Sequence, residues 1–165
     1  MSESLFLVKI PFLFSRPKPL SAGDPAPKIS AVDHEGAPID LGRIGAQGLA
    51  LVYFYPKADT PGCTAQGCSL RDAFEDLARD GLSILGVSRD RPEAQKKFRE
   101  KFRLPYPLVA DFDGRVAEAF GVPTILGFAA RQSFLIRDGR IVWTARSAQT
   151  TQHAEEVRQA LKKML

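Results

Sequence analysis

The sequence contains only two cysteines, Cys63 and Cys68, and two histidines, His34 and His153, in 165 residues. So few cysteines exclude the cross-linked framework of a small disulfide-rich secreted domain. Their five-residue separation excludes a CxxC redox pair and does not match the spacing of a zinc finger. Neither histidine lies beside a cysteine in sequence, so no metal is expected, and nothing calls for a cofactor. A bilayer-length apolar run is also missing: Lys9 interrupts the N-terminal apolar stretch, and Pro11 disfavours a helix there.

Charge of one sign is scarce as well. The formal net charge is +4, from 23 basic and 19 acidic side chains, and the basic residues are spread in small groups such as Lys96-Lys97 and Lys162-Lys163. Nucleic-acid binding needs a concentrated basic face with a reading element, so it is not expected. The clusters read instead as solvated helix faces. A mild positive field favours an anionic substrate or an acidic partner without identifying either.

What is present suits one α/β domain. The length fits a single compact unit, and a 44% hydrophobic fraction is enough to build its core. The expected division is an extension over residues 1–20 and a domain over residues 21–165. Leu5-Phe6-Leu7-Val8 and Pro11-Phe12-Leu13-Phe14 lack the basic leader and unbroken core of a secretory signal, although Ser21-Ala22-Gly23 has the small residues of a cleavage tail. The extension is read as packing on the domain or on a partner, with a membrane-surface anchor or degenerate signal as the alternative. The cytoplasm is the expected location; the extension leaves a periplasmic or membrane-surface one open.

After the Arg16-Pro17-Lys18-Pro19 connector, residues 28–32 suit a short strand closed by the Asp33-His34-Glu35-Gly36 turn, with His34 expected at the surface. Residues 49–55 form an apolar run that predicts a buried central strand, stopped by Pro56. A helix is predicted from the Asp59-Thr60-Pro61-Gly62 segment through Ala78, burying Leu70, Phe74 and Leu77. Strands follow at residues 82–87 and 108–110, separated by a helix that starts at Pro92 and pairs Phe98 with Phe102. A short helix over 116–120, a hairpin of residues 133–136 and 141–143 about Asp138-Gly139, and an amphipathic helix over 154–165 complete the pattern. The sum predicts parallel crossovers together with a hairpin.

The chemistry concentrates at Pro56-Lys57-Ala58-Asp59-Thr60-Pro61-Gly62-Cys63. Thr60 is a candidate N-cap and Pro61 a first-turn residue, which places Cys63 near a helix N-terminus, where free N–H groups and the peptide dipoles favour a thiolate. Such a sulfur can attack the O–O bond of a hydroperoxide, become a sulfenic acid and release water or an alcohol. Thr60 and nearby backbone N–H groups are candidate donors to the peroxide, and a guanidinium from a distant strand would complete the set. Cys68 offers a recovery step. Five residues along an unbroken helix, however, the Cα atoms lie about 8.7 Å apart, beyond the roughly 7 Å reach of a disulfide. Closure therefore requires local unwinding, which Gly67 makes easier. Taken alone, the two cysteines fit two small hydrophobes on one helix equally well.

From Phe54-Tyr55-Pro56-Lys57 through Thr60-Pro61-Gly62-Cys63-Thr64 to Cys68, the chain resembles the peroxiredoxin family, in particular its bacterioferritin-comigratory or peroxiredoxin Q branch; the broader resemblance covers residues 20–165. It implies a thioredoxin-like α/β fold with a central mixed sheet flanked by helices, and a thiol peroxidase acting on hydrogen peroxide and organic hydroperoxides. It further implies Cys63 as the peroxidatic cysteine, Pro56 as its shield, Thr60 as a peroxide contact and Cys68 as the resolving partner. Arg131, in Arg131-Gln132-Ser133-Phe134, matches the family's arginine. Thioredoxin or another small dithiol protein is the implied reductant, and a monomer the implied state, with dimers also found in the branch. Phe54, Tyr55, Phe120 and Phe128 are candidates for a substrate collar, though most of them are read as core, and Trp143 as structural. His153 is read as a cap or surface residue, and Ser88-Arg89-Asp90 as a hydrogen-bonded turn. Two competing functions remain: a thioredoxin-like protein disulfide oxidoreductase, and a noncatalytic binding module on the same fold.

Overall fold

A computed structural model describes residues 18–164. The apolar stretch within residues 1–17, the first half of the connector and the last residue of the helix expected over 154–165 lie outside the described residues. In chain order the first elements are β1 (Ser30–Val32), β2 (Pro38–Asp40), α1 (Leu41–Ile44), β3 (Leu49–Phe54), α2 (Pro61–Asp72), α3 (Phe74–Arg79) and β4 (Leu82–Ser88). They are followed by α4 (Pro92–Phe102), β5 (Leu108–Ala110), α5 (Arg115–Phe120), β6 (Thr124–Ile125), β7 (Phe128–Ala129), β8 (Ser133–Arg137), β9 (Arg140–Ala145) and α6 (His153–Met164).

Five strands make one mixed sheet in the order β5-β4-β3-β8-β9. β3, β4 and β5 run parallel, whereas β8 is antiparallel to both β3 and β9. β3 is central because both of its faces are apolar. Leu51, Tyr53 and the following Tyr55 point to a core shared with Leu70, Leu77, Phe98, Val157 and Leu161. Ala50, Val52 and Phe54 point the other way, to Val116 and Phe120 of α5. This two-residue alternation buries helices against both faces, the layering implied by the resemblance. The β8–β9 turn uses Asp138 (φ 47) and Gly139 (φ 81), two successive left-handed residues that match the strand twist.

Away from the cysteine site, the elements and turns differ from the sequence reading as follows. The helix expected through Ala78 breaks at Ala73, with α2 packed on α6 and α3 on β4. No glycine or proline marks the break; the two segments serve different packing partners. The short elements β2, α1, β6 and β7 carried too few residues to show a period. His34 is not at the surface: it is 9% exposed, and its Nδ1 accepts from the Leu108 N–H at 3.3 Å. Its turn folds back on the sheet edge, where Asp33 bridges to Val109.

Asp111, which follows β5, accepts from the Val116 and Ala117 N–H groups at 2.9 Å each and so ties down the start of α5. Burial pushes its carboxyl up from 3.8 to about 6, against the opposing pull of those two N–H groups. The folded protein therefore holds this proton more tightly than the unfolded chain. The associated stability is complete below 3.8 and is lost as pH rises through about 6. In urea titrations across that window, the stability difference between wild type and Asp111→Asn should shift against the wild type as pH rises. A difference independent of pH refutes the assignment.

Candidate active site

Cys63 is the third residue of α2 and is 1% exposed. Its position follows from the loop that joins β3 to the helix. Asp59 adopts a left-handed backbone (φ 58), which aspartate tolerates better than most residues, and pairs with Lys101 at 2.9 Å. Thr60 then turns extended (φ −102) as the N-cap, and Pro61 supplies the preset first helical position. The first backbone bond of α2 runs from the Thr64 N–H to the Thr60 carbonyl at 2.8 Å. The Gly62 and Cys63 amides precede that bond, so the helix offers no internal acceptor for them.

Thr60 occupies the N-cap, but its side chain makes no capping bond; Oγ1 donates to the Lys57 carbonyl at 2.7 Å. The hydroxyl braces the preceding loop, with its oxygen lone pairs left to accept. The same loop is held from outside: the Ala58 N–H donates to Asp90 Oδ2 at 2.8 Å, and Ser88 Oγ donates to the same oxygen at 2.6 Å. The Ser88-Arg89-Asp90 segment is thus the hydrogen-bonded turn expected, and its carboxylate also supports the Cys63 loop. Pro56, half-buried, follows Tyr55 at the start of that loop.

Arg131 arrives from the far side, between β7 and β8, and meets the cysteine. Its Nη2 donates to Cys63 Sγ at 3.5 Å and its Nη1 to Gln66 Oε1 at 2.7 Å. Gly62 makes room for it: a Cβ on Gly62 would lie 3.1 Å from Arg131 Nη2. Gln66 is fully buried, and its Nε2 has no partner among the described residues. The sequence reading missed Gln66. Its signal was present, because a residue three beyond Cys63 shares that face of a helix.

Cys68 lies half-buried on the same uninterrupted α2, and both thiols are free. The helical separation of about 8.7 Å therefore stands in this state. His153 is corrected from cap or surface residue to a fully buried ring at the start of α6: Nε2 pairs with Ser133 Oγ and Nδ1 with Glu156 Oε2, both at 3.0 Å. Burial pushes the imidazole below its ordinary value, partly offset by Glu156. It joins α6 to β8 two residues beyond Arg131. Phe54, Tyr55 and Phe120 are buried in the core, whereas Phe128 is 44% exposed, with the Lys57 ammonium 6.0 Å from its ring centre. Trp143 lies half-buried on β9 against the core. A cavity of about 640 Å³ is lined by Pro19, Arg89, Val122 and Ile125 and does not include Cys63.

The arrangement sets a nearly enclosed sulfur between a guanidinium and a helix N-terminus. It can receive a small electrophile and stabilise the negative charge that leaves it. Residues 22–144 match the AhpC/TSA family. The chain is 43% identical over 152 residues to Peroxiredoxin Bcp of Escherichia coli (strain K12), covering 87% of this chain and 97% of that protein. Among solved structures it resembles Peroxidoxin BcpB of Mycobacterium tuberculosis, with a TM-score of 0.81, 33% identity and coverage of 87% and 97%. A Xanthomonas campestris bacterioferritin comigratory protein, whose structure concerns alkyl peroxide reduction, matches with a TM-score of 0.79, 30% identity and coverage of 87% and 99%.

Proposed function

The chain belongs to the AhpC/TSA family, and from that premise we propose that it reduces hydrogen peroxide and organic hydroperoxides with Cys63 as the attacking thiolate. The observation that carries the assignment to Cys63 is the Arg131 guanidinium 3.5 Å from its sulfur. The sulfur attacks the terminal peroxide oxygen, the O–O bond breaks, and the departing oxygen takes a proton to leave as water or alcohol. Arg131 offers positive charge both to the thiolate and to that oxygen. The free amides at the start of α2 donate further hydrogen bonds, the Thr60 oxygen accepts from the O–H of the bound hydroperoxide, and Pro56 limits solvent access.

The enclosure of Cys63 supports a peroxidase over a protein disulfide oxidoreductase. With 1% of the residue exposed, the reduced site admits a small hydroperoxide end group rather than a folded partner's disulfide. A noncatalytic module has no need for a guanidinium turned onto a buried thiol. We propose Cys68 as the resolving cysteine, with a small dithiol protein such as thioredoxin returning the resulting disulfide to two thiols. The catalytic domain is taken as residues 21–165, which extends beyond the family match over residues 22–144 to include α6. No described helix is long and apolar enough to cross a membrane.

Mass spectrometry after a single addition of peroxide tests the two roles together. The wild type should end as a Cys63–Cys68 disulfide, whereas Cys68→Ser should complete one turnover and retain a trappable sulfenate at Cys63. Modification of Cys68 first, or a Cys63 that stays reduced in both proteins, refutes the reading.

A further inference from the structure

Tyr106, just before β5, is 1% exposed and takes no part in the site described above. Its hydroxyl donates to the Gly67 carbonyl at 2.9 Å and pairs with Tyr53 Oη at 2.9 Å. Since the Tyr106 proton goes to the carbonyl, Tyr53 is the donor in the second bond. The helix rests directly on this ring: a Cβ on Gly67 would lie 3.4 Å from Tyr106 Oη and 3.5 Å from Leu104 Cδ2. Two more ties follow along the same helix. The Ala154 N–H donates to Ser69 Oγ at 3.1 Å, and Arg71 Nη1 donates to the Phe102 carbonyl at 2.8 Å. Both neighbours of Cys68 are thus fastened to other elements. Around Cys63, the hydrogen bonds that tie α2 to other elements among the described residues come from Arg131 alone.

The two cysteines lie beyond disulfide reach while α2 is helical, so any rearrangement that joins them must turn the peptides between them, Gly67 included. Resting on the proposal that Cys63 and Cys68 close a disulfide, we infer that Tyr106 is a positioning residue for that step: by holding the Gly67 carbonyl it keeps the Cys68 segment helical and slows closure. In that step the Cys68 thiolate attacks the sulfenic sulfur, the S–S bond forms and the S–O bond breaks. Hydroxide leaves and is protonated to water. The oxidising equivalent has already come from the peroxide. Before closure the sulfenate is open to a second peroxide, which takes it to the sulfinic acid. The grip of Tyr106 therefore sets how long that exposure lasts.

The burial that fixes this contact has an optical consequence. The chain has three tyrosines. All are buried, and burial is the leading cause that raises each hydroxyl's pKa above its ordinary value. Release of Gly67 removes the helix backbone that covers Tyr106 Oη and lets that phenol ionise nearer its usual range.

Rapid-quench measurement on Tyr106→Phe provides the test. Sulfenate formation, trapped with a dimedone reagent, should change by less than about twofold, while disulfide closure should become roughly fivefold faster, as expected for the loss of one net hydrogen bond. The sulfinic fraction at high peroxide should fall accordingly. Tyr53→Phe leaves the Tyr106–Gly67 bond in place and should accelerate closure less. Unchanged or slower closure in Tyr106→Phe, or an equal effect of Tyr53→Phe, overturns the inference. An independent measurement uses the wild type alone: alkaline titration of tyrosinate absorbance should show one additional phenol ionising near pH 10 in the disulfide form, roughly the ordinary tyrosine value. Identical titrations of the two redox forms overturn the inference. Failure of the site assignment shows earlier and separately, as a wild type that forms no sulfenate at Cys63.

Discussion

Cys63→Ser should lower the second-order rate constant for hydroperoxide reduction by roughly 10³-fold or more, because removal of an activated nucleophile leaves only binding and polarisation behind. A serine hydroxyl at this position is not ionised near neutral pH, and its oxygen gives up electrons to a peroxide far less readily than sulfur. The change exchanges one small side chain for another in a site that is 1% exposed, so the sheet and both cores should persist. Peroxide consumption under pseudo-first-order conditions, with circular dichroism to check the fold, gives the comparison. A variant that keeps even a tenth of the wild-type rate places the chemistry elsewhere in the molecule.

Arg131→Met should cost roughly 10²–10³-fold in the same rate constant, the loss typical when a preorganised donor to developing charge is removed. Methionine retains much of the aliphatic bulk between β7 and β8 while deleting both hydrogen bonds, the 2.7 Å contact to Gln66 and the 3.5 Å contact to Cys63. Gln66→Leu separates charge from orientation. It leaves the guanidinium present but without its clamp, so its loss should fall between wild type and Arg131→Met. If Arg131→Met slows closure of the Cys63–Cys68 disulfide but leaves attack on peroxide unchanged, the guanidinium does not serve the transition state of the first step.

The legible part of this protein was written in short-range patterns. Residues 49–55 announced a central strand because a segment buried on both faces must be apolar throughout, and β3 has that burial. Thr60, Pro61 and Cys63 placed the sulfur in the first turn of a helix because capping and first-turn preferences act within four residues. Asp138-Gly139 marked a hairpin turn because two successive left-handed residues demand such side chains. Interactions across the chain left no comparable trace. The break at Ala73 follows from two helical segments meeting different partners, α6 and β4. His34 and His153 read as turn and cap residues from their neighbours alone, yet both are buried by segments distant in sequence.

By itself, then, the sequence determined most of the strands and helices of the sheet and its flanks and which sulfur leads α2, since propensity, capping and periodicity depend on residues a few positions apart. The meeting of Arg131 with Cys63 across 68 positions, the clamp from Gln66, the Asp90 brace on the loop and the seat of Gly67 on Tyr106 were decided by tertiary structure. The reason is physical. Hydrogen bonds of this kind require donor–acceptor distances held to within a few tenths of an ångström between groups on separate elements, and that placement exists only after the sheet has brought the elements together.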